Sequence, residues 1–272
     1  MGLVIETYSR LADEYNDPQN LDSCWGAVAG YSLSLVTIED RHKVVVDVGC
    51  GVGKELAHLA SLHSPDVQFI GIEPATNMRK KAIERAAKYP NAQVLDGRFE
   101  NLPLESESVD YLYSILAFHW TADPDKSVSE LKRVLKPTGE MDLTFIGRHN
   151  GQEFIKTTTP VFFKYMTPAM MIRAASLRKQ LTVEAARDLF GKVFGARGLT
   201  VTESYHTYQD TLERHWSWWV RIEGQLVDIP QTIREECNQA VKTAIAALET
   251  DAGIPYTVHL LHVKLRSYGT SE

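Results

Sequence analysis

Residues 44–59, VVVDVGCGVGKELAHL, carry an apolar run, an acid, and then glycine at every second position: Gly49, Gly51 and Gly53. VVVDV has the length and β-branched composition of a buried strand, and KELAHLASLH, directly after the glycines, has the apolar spacing of a helix. Each glycine costs about 0.5–1 kcal/mol relative to alanine in a regular element. Three together mean that the backbone turns through conformations closed to other residues, or that something must come close to it. A chain built on this unit needs a sheet whose strands end in turns that open helices.

The rest of the first half repeats the alternation. VQFIGIE reads as a second strand and MRKKAIERAAKYP as a second helix, while AQVLDG, SVDYLYSILA and EMDLTFIG supply three further strands. Within DPDKSVSELKRVLKPTGE, Asp123 stands as N-cap and Pro124 at the first helical position, with Pro137 and Gly139 as the stop. Strands alternating with helices predict an α/β fold, a doubly wound and mostly parallel sheet covered on both faces. Ligands of such sheets lie beyond the carboxyl ends of the strands, so the loops after Val48, Ile72, Leu95, Ile115 and Ile146 hold the site. The flanks read as a helical stretch around Trp25, a Phe- and Met-rich insertion, a helix over residues 183–194, a long strand LTVTESYHTYQD, a tryptophan-rich ERHWSWWVRI, a helix over residues 233–248 and a last strand YTVHLLHVKLR.

Composition narrows the ligand. A net charge of −6 with no basic run offers no footprint for a phosphate backbone, so nucleic acid is not an expected partner. The three cysteines, Cys24, Cys50 and Cys237, lack metal-knuckle or disulfide-framework spacing; a reducing, cytoplasmic setting and no metal are expected. No stretch has the ~20 apolar residues of a membrane span, and Glu6 stands where a myristoylation signal wants Ser or Thr.

The glycine spacing departs from GxGxxG, the pattern of a dinucleotide turn, and Lys54 has no Ser or Thr after it, as a P-loop would require. Asp47, two residues before the first glycine, favours a ligand with positive charge and no phosphate there. Glu73, closing the second strand ahead of Pro74, can accept from both ribose hydroxyls. Adenosine carrying a cationic amino-acid tail, S-adenosylmethionine, satisfies both acids.

In their order, VVDVGCGVGKEL, IGIEPATNMRKKA, GRFENLPLESESVDYLYSILAFHW and ELKRVLKPTGEM resemble the successive motifs of class I S-adenosylmethionine-dependent methyltransferases. The likeness is to the small-molecule branch, of the type 11 and trans-aconitate methyltransferase kind. It covers residues 8–146, and YSRLADEY resembles the helix that closes over the cofactor in that branch. The resemblance implies a Rossmann-like, seven-stranded, mostly parallel sheet with an antiparallel last strand, plus a helical lid. It divides one domain, residues 1–272, into cap helices (1–40), a cofactor core (41–148), a lid insertion with its helix (149–198) and C-terminal strands and helices that complete the acceptor site (199–272).

Carried over by position, the resemblance gives Asp47, Gly49, Gly51 and Gly53 to the methionine end of the cofactor, Glu73 and Pro74 to its ribose and Met78 to the adenine face; Ser114 completes the set. Where the family has an acid after Gly97, this chain has Arg98, which has no acceptor to offer; Asp96, Glu100 or Phe99 takes the adenine role. Methyl transfer needs exclusion of water and near-attack geometry, and a base only if the acceptor begins protonated. His119 in AFHW is the expected base, because an ordinary imidazole is near half-titrated around neutral pH. His149, His206 and His215 could reach the same space. Tyr8, Tyr15, Trp120, Phe163, Tyr165, His215 and Trp219 join His119 as expected acceptor-site residues. Their aromatic character suits a small, largely apolar or aromatic metabolite methylated at oxygen, nitrogen or carbon, in specialised metabolism, by a monomer or homodimer. The alternative keeps the fold as a cyclase or cofactor-binding protein without transfer. A nicotinamide oxidoreductase is disfavoured by the glycine spacing.

Overall fold

The computed structural model describes residues 2–227 and 229–267. Seven strands form one sheet in the order β3-β2-β1-β4-β5-β7-β6: β1 (Val44–Val48), β2 (Gln68–Ile72), β3 (Ala92–Leu95), β4 (Val109–Ile115), β5 (Leu135–Ile146), β6 (Leu199–Asp210) and β7 (Ile254–Leu265). β1 to β5 run parallel; β7 is antiparallel to both β5 and β6. The chain order reverses beside β1, where β2 lies on one side and β4 on the other.

Successive strand residues point to opposite faces, and both faces are buried. Val46, Val48, Ile70, Ile72 and Leu112 pack on one side, beneath α6 (Pro124–Val134) and α9 (Val183–Phe194). Val45, Phe69, Tyr111 and Tyr113 pack on the other, with Leu56 and Leu59 of α4 (Lys54–Leu62). Helix α5 (Thr76–Ala86) follows β2, as its motif required. The Asp123 carboxylate accepts from the Lys126 amide at 3.0 Å, capping α6 with Pro124 in its first turn.

One boundary differs from the sequence reading. α6 does end before Pro137 and Gly139, but the strand begins at Leu135 and not at Glu140, so both residues lie inside a long β5. Val109 pairs with Leu135 and the next partners are Tyr111 and Glu140, so the proline and glycine occupy a bulge. A bulge tolerates proline because it needs no ladder donor there.

At the amino end, α1 (Gly2–Arg10), α2 (Ala12–Tyr15) and α3 (Cys24–Ser34) lie over the carboxyl ends of the strands, with Val4, Ile5, Tyr8 and Tyr15 facing the β1 turn. The insertion after β5 is α7 (Gln152–Tyr165) and α8 (Pro168–Ser176); α10 (Leu212–Arg221) and α11 (Gln231–Ala246) lie between β6 and β7. These four helices share a core of their own, built from Met166, Cys237, Val241 and Ile245, with Phe162, Tyr165, Trp216 and Trp219 against it. No described helix is long and apolar enough to cross a membrane.

Candidate functional site

The three glycines of the β1 turn all have positive φ: 81°, 55° and 72°. Gly49 leaves no room for a side chain against Ala117, and a Cβ on Gly53 would stand 2.9 Å from Ala82. Those two serve close packing. Gly51 faces open space, with nothing within 4 Å of a Cβ, so its side of the turn is left clear for a ligand. The amides of Gly49 and Cys50 donate to the Ile72 carbonyl at 2.8 and 3.1 Å, fastening the turn to the end of β2. The Arg85 guanidinium holds it from below, donating to the Val52 carbonyl and, at 2.9 Å, to Asn16 Oδ1 of the cap.

A cavity of about 770 Å³, counting its open mouth, lies over this turn. Gly49, Gly51, Glu73, Pro74, Met78 and Phe99 line it, and Tyr8, Tyr15 and Trp120 face it from the cap side. Both Glu73 oxygens are engaged, Oε2 by the Gly51 amide at 2.9 Å and Oε1 by the Ala75 amide at 2.8 Å. Burial nevertheless pushes its carboxyl up to about 7, against the pull of those two hydrogen bonds.

Asp47 does not line the cavity; it is buried beneath the turn. Burial first, and Glu55 second, raise its carboxyl well above the usual range. Burial, Glu55 and Glu73 raise the Tyr15 phenol likewise. Arg79 Nη1 donates to the carbonyls of Glu73 and Pro74 at 2.8 and 3.0 Å and pairs with Asp96 at 3.1 Å, fixing the end of β2. Glu55 and Glu73 act on both Asp47 and Tyr15 at the Gly51 end of the cavity, which suits a ligand cation there.

At the far end stand the three residues considered beside Arg98. Asp96 is 70% exposed in its pair with Arg79 and lines nothing. Glu100 is buried and does not line the cavity: Oε1 accepts from the Thr121 hydroxyl at 2.7 Å and the amides of Ala122 and Asp123 at 2.6 and 3.3 Å, tying the turn before α6 to the loop after β3, while Oε2 makes no hydrogen bond and stands 3.9 Å from Arg98. Phe99 lines the cavity, braced edge-on by Phe118 with centroids 5.2 Å apart. Ser114 does not line the cavity; its hydroxyl donates to the Val48 carbonyl at 2.6 Å, locking β4 to β1.

A second chamber of about 530 Å³ adjoins the first and shares Tyr8, Tyr15, Leu116 and Trp120 with it. Trp25, His119, Asn150, Arg178 and Trp218 complete its wall. Leu116 stands at the junction with φ 57°, a strained value for a branched side chain, in the loop where β4 ends. Arg178 lies over the Trp120 ring at 4.8 Å, and Lys179 donates its amide to the His119 carbonyl at 2.7 Å, so the segment between α8 and α9 closes this chamber.

His119 lines the chamber, but not as the half-titrated base the sequence suggested. It is buried, and desolvation, helped by the Arg178 charge, lowers its pKa well below 6.5. The Ile146 amide donates to Nδ1 at 3.4 Å, which assigns the proton of the neutral ring to Nε2. Its neutral ring carries one N–H donor, at Nε2.

Other expected acceptor residues lie elsewhere. Phe163 is 65% exposed, and the Tyr165 hydroxyl donates to Glu236 at 3.1 Å on the outer side of the lid core. His215 is anchored to the Ile254 carbonyl at 3.1 Å and, with Trp219, borders a third cavity. His149 donates its amide to His259 Nδ1 at 3.0 Å, and His206 bonds Ser204 at 2.9 Å; neither reaches the chamber. Among the described residues no cluster of three or more His, Cys, Asp or Glu could hold a metal ion. Sequence reasoning missed Trp25, Asn150 and Arg178, which no motif marks, and did not single out Leu116 within SILAFHW.

Residues 46–141 match the family described as a methyltransferase domain. That segment is a methyltransferase domain of the S-adenosylmethionine-dependent kind. An uncharacterized methyltransferase of Geobacillus kaustophilus is 34% identical over 139 residues, covering 50% of this chain and 60% of that protein. The chain spans about half the length of such curated relatives. Among solved structures, a phosphoethanolamine N-methyltransferase of Haemonchus contortus, complexed with S-adenosylhomocysteine, superposes with a TM-score of 0.54 at 17% identity, over 90% of this chain and 52% of that one. The cyclase SpnF superposes with a TM-score of 0.51 at 16% identity, over 87% and 80%. At these identities the likeness is one of fold. The methyltransferase core thus coincides with β1 to β5 and the cavity over the glycine turn, while the cap and lid helices lie outside the matched segment.

Proposed function

We propose that this methyltransferase transfers the methyl group of S-adenosylmethionine to a small, largely apolar or aromatic acceptor held in the second chamber. The observation that carries the reading is the meeting of two chambers at Tyr8, Tyr15, Leu116 and Trp120, one over an acidic glycine turn and the other walled by rings. When bound, S-adenosylmethionine supplies a methyl group already activated by a cationic sulfur.

This chain's residues supply place and field. Gly51 would leave room for the methionine end, Glu73 would offer its carboxylate to the ribose, and Met78 and Phe99 would supply apolar contact to the adenine. Asp47, Glu55 and Glu73 favour a cation at the turn. The rings of Tyr8, Tyr15 and Trp120 exclude water at the junction and stabilise positive charge through their faces. His119 donates Nε2–H to the acceptor and orients it, while Arg178 favours an acceptor carrying negative charge at neutral pH. An acceptor that arrives with its electron pair free needs no base, which agrees with a chamber whose wall contains no carboxylate.

Three buried free thiols, Cys24, Cys50 and Cys237, suit a reducing cytoplasmic setting, and a net charge of −6 suits a small molecule better than nucleic acid. The test is mass spectrometry of the protein with S-adenosylmethionine and extracts of its source cells. A product heavier by one methylene, and heavier again with a deuterated methyl donor, establishes transfer. A bound cofactor with a rearranged product of unchanged mass would instead establish the cyclase reading, which the neutral, non-basic His119 leaves room for.

A further inference from the structure

We infer that the acceptor chamber continues into the third cavity, and that the acceptor is an elongated molecule whose apolar tail lies there. This rests on the reading of the first two chambers as cofactor and acceptor sites.

The third cavity, about 440 Å³, is bordered by Trp25, Phe154, His215, Trp218, Trp219 and Tyr256. Trp25 and Trp218 belong to both it and the acceptor chamber, and Asn150 of the chamber donates to the Tyr256 hydroxyl of the third cavity at 2.9 Å, so the two spaces share one wall. Ring contacts run unbroken from one end to the other. From Trp120 the centroid steps are 5.6 Å to Tyr8, 5.9 Å to Tyr15, 6.3 Å to Trp218, 5.9 Å to Trp25, 5.9 Å to Tyr256 and 4.9 Å to Phe154.

The polar tips of two wall residues are directed into the protein. His215 bonds the Ile254 carbonyl, and Trp219 Nε1 reaches Asn238 Oδ1 at 3.5 Å, so both can turn hydrocarbon faces to the space. Charge enters only with Asp210 and Arg214, paired at 3.7 Å, of which Arg214 is 59% exposed and so marks the solvent side. A space lined this way selects by apolar contact and length, not by hydrogen bonding.

The two dividing tryptophans come from different elements, Trp25 from α3 and Trp218 from α10. Arg221, one turn on from Trp218, donates to Asn20 Oδ1 at 2.8 Å and to the Glu14 carbonyl at 3.3 Å, and so sets the spacing between α10 and the cap. The width of the passage is thereby coupled to the seating of the cap over the cofactor cavity.

The test is calorimetric binding of 4-n-alkylphenols and 4-n-alkylbenzoates, from methyl to octyl, to protein saturated with S-adenosylhomocysteine. Affinity in at least one series is expected to rise about fourfold per added methylene until the tail fills the third cavity, and then to level. Cys24→Phe, which adds bulk in that cavity, should stop the rise after the first few methylenes without changing the affinity of the methyl congener or of S-adenosylhomocysteine. If both series show no dependence on chain length, the tail site is overturned while the cofactor site stands, and this outcome is read from the unaltered protein whether or not the variant folds. A chain-length rise that Cys24→Phe leaves intact also overturns it, since the tail then lies elsewhere. Failure of S-adenosylhomocysteine itself to bind overturns the cofactor reading and this one with it.

Discussion

At the scale of single residues, the site is governed by what burial does to titratable groups. The Glu73 carboxyl, ordinarily near 4.5, is lifted to about 7. Its folded pKa exceeds its unfolded one, so the ligand-free protein retains a proton that the unfolded chain releases, and stability falls as pH rises from about 4.5 to about 7. A cationic cofactor prefers the ionised carboxyl, so its affinity should increase with pH through that window and level above it. Calorimetry of S-adenosylmethionine binding from about pH 5.5 to 8 checks this. Glu73→Gln should flatten the step and lower affinity at pH 8 by roughly tenfold or more, in line with the ~1.5–3 kcal/mol of a hydrogen bond to a charged group. At His119 the direction is opposite. A ring neutral throughout the working range gives no ionisation near 6.5 in the rate profile; His119→Ala should lower kcat about tenfold, and His119→Gln, which restores an N–H donor, should recover part of it. A limb near 6.5 that vanishes in both variants would restore the base.

At the scale of elements, helices and strands with an uninterrupted period were legible. Strand β6 and helix α9 begin and end where the spacing placed them, because each carries a full apolar pattern and α9 has a Thr182 cap accepting from the Ala185 amide. Strand β5 was read late, because Pro137 and Gly139 signal a stop in a sequence while a bulge absorbs them in a sheet. Arg85 was not legible at all: a lysine- and arginine-rich helix gives no sign of which cation turns inward. It joins α5 to the glycine turn and to Asn16, so Arg85→Met should loosen both. The expected losses are about 1–2 kcal/mol of stability in denaturant unfolding and several-fold in cofactor affinity.

At the scale of the whole molecule, the cap, the sheet and the lid meet at the ligand. Ser9 and Asn77 bond at 3.0 and 3.1 Å and Lys81 pairs with Asp13 at 2.5 Å, so the cap rests on the same helix that supports the cofactor turn. Ligand binding should therefore stabilise the chain as a unit. At a hundred times Kd the gain is about 2.7 kcal/mol, or roughly 5–10 °C in Tm for a chain of this size, read by calorimetric melting with and without S-adenosylhomocysteine. A rise confined to one of two separate transitions would show that cap and sheet unfold independently.

By itself the sequence determined the alternation of strands and helices, the glycine turn and the two acids beside it, because these depend on period and on the backbone freedom of glycine, which are local properties. Only the tertiary structure decided that Asp47 lies under the turn and not in the cavity, that the Ser114 hydroxyl bonds the Val48 carbonyl, that Glu100 Oε1 ties Thr121 and the turn before α6, and that His119 is held neutral. It also decided how the aromatic residues divide. Phe162, Tyr165, Trp216 and Trp219 went to the lid's own core, while Trp25 and Trp218 went to the chamber. Neighbours along a helix face opposite sides, and which side meets a cavity is settled by elements distant in the chain.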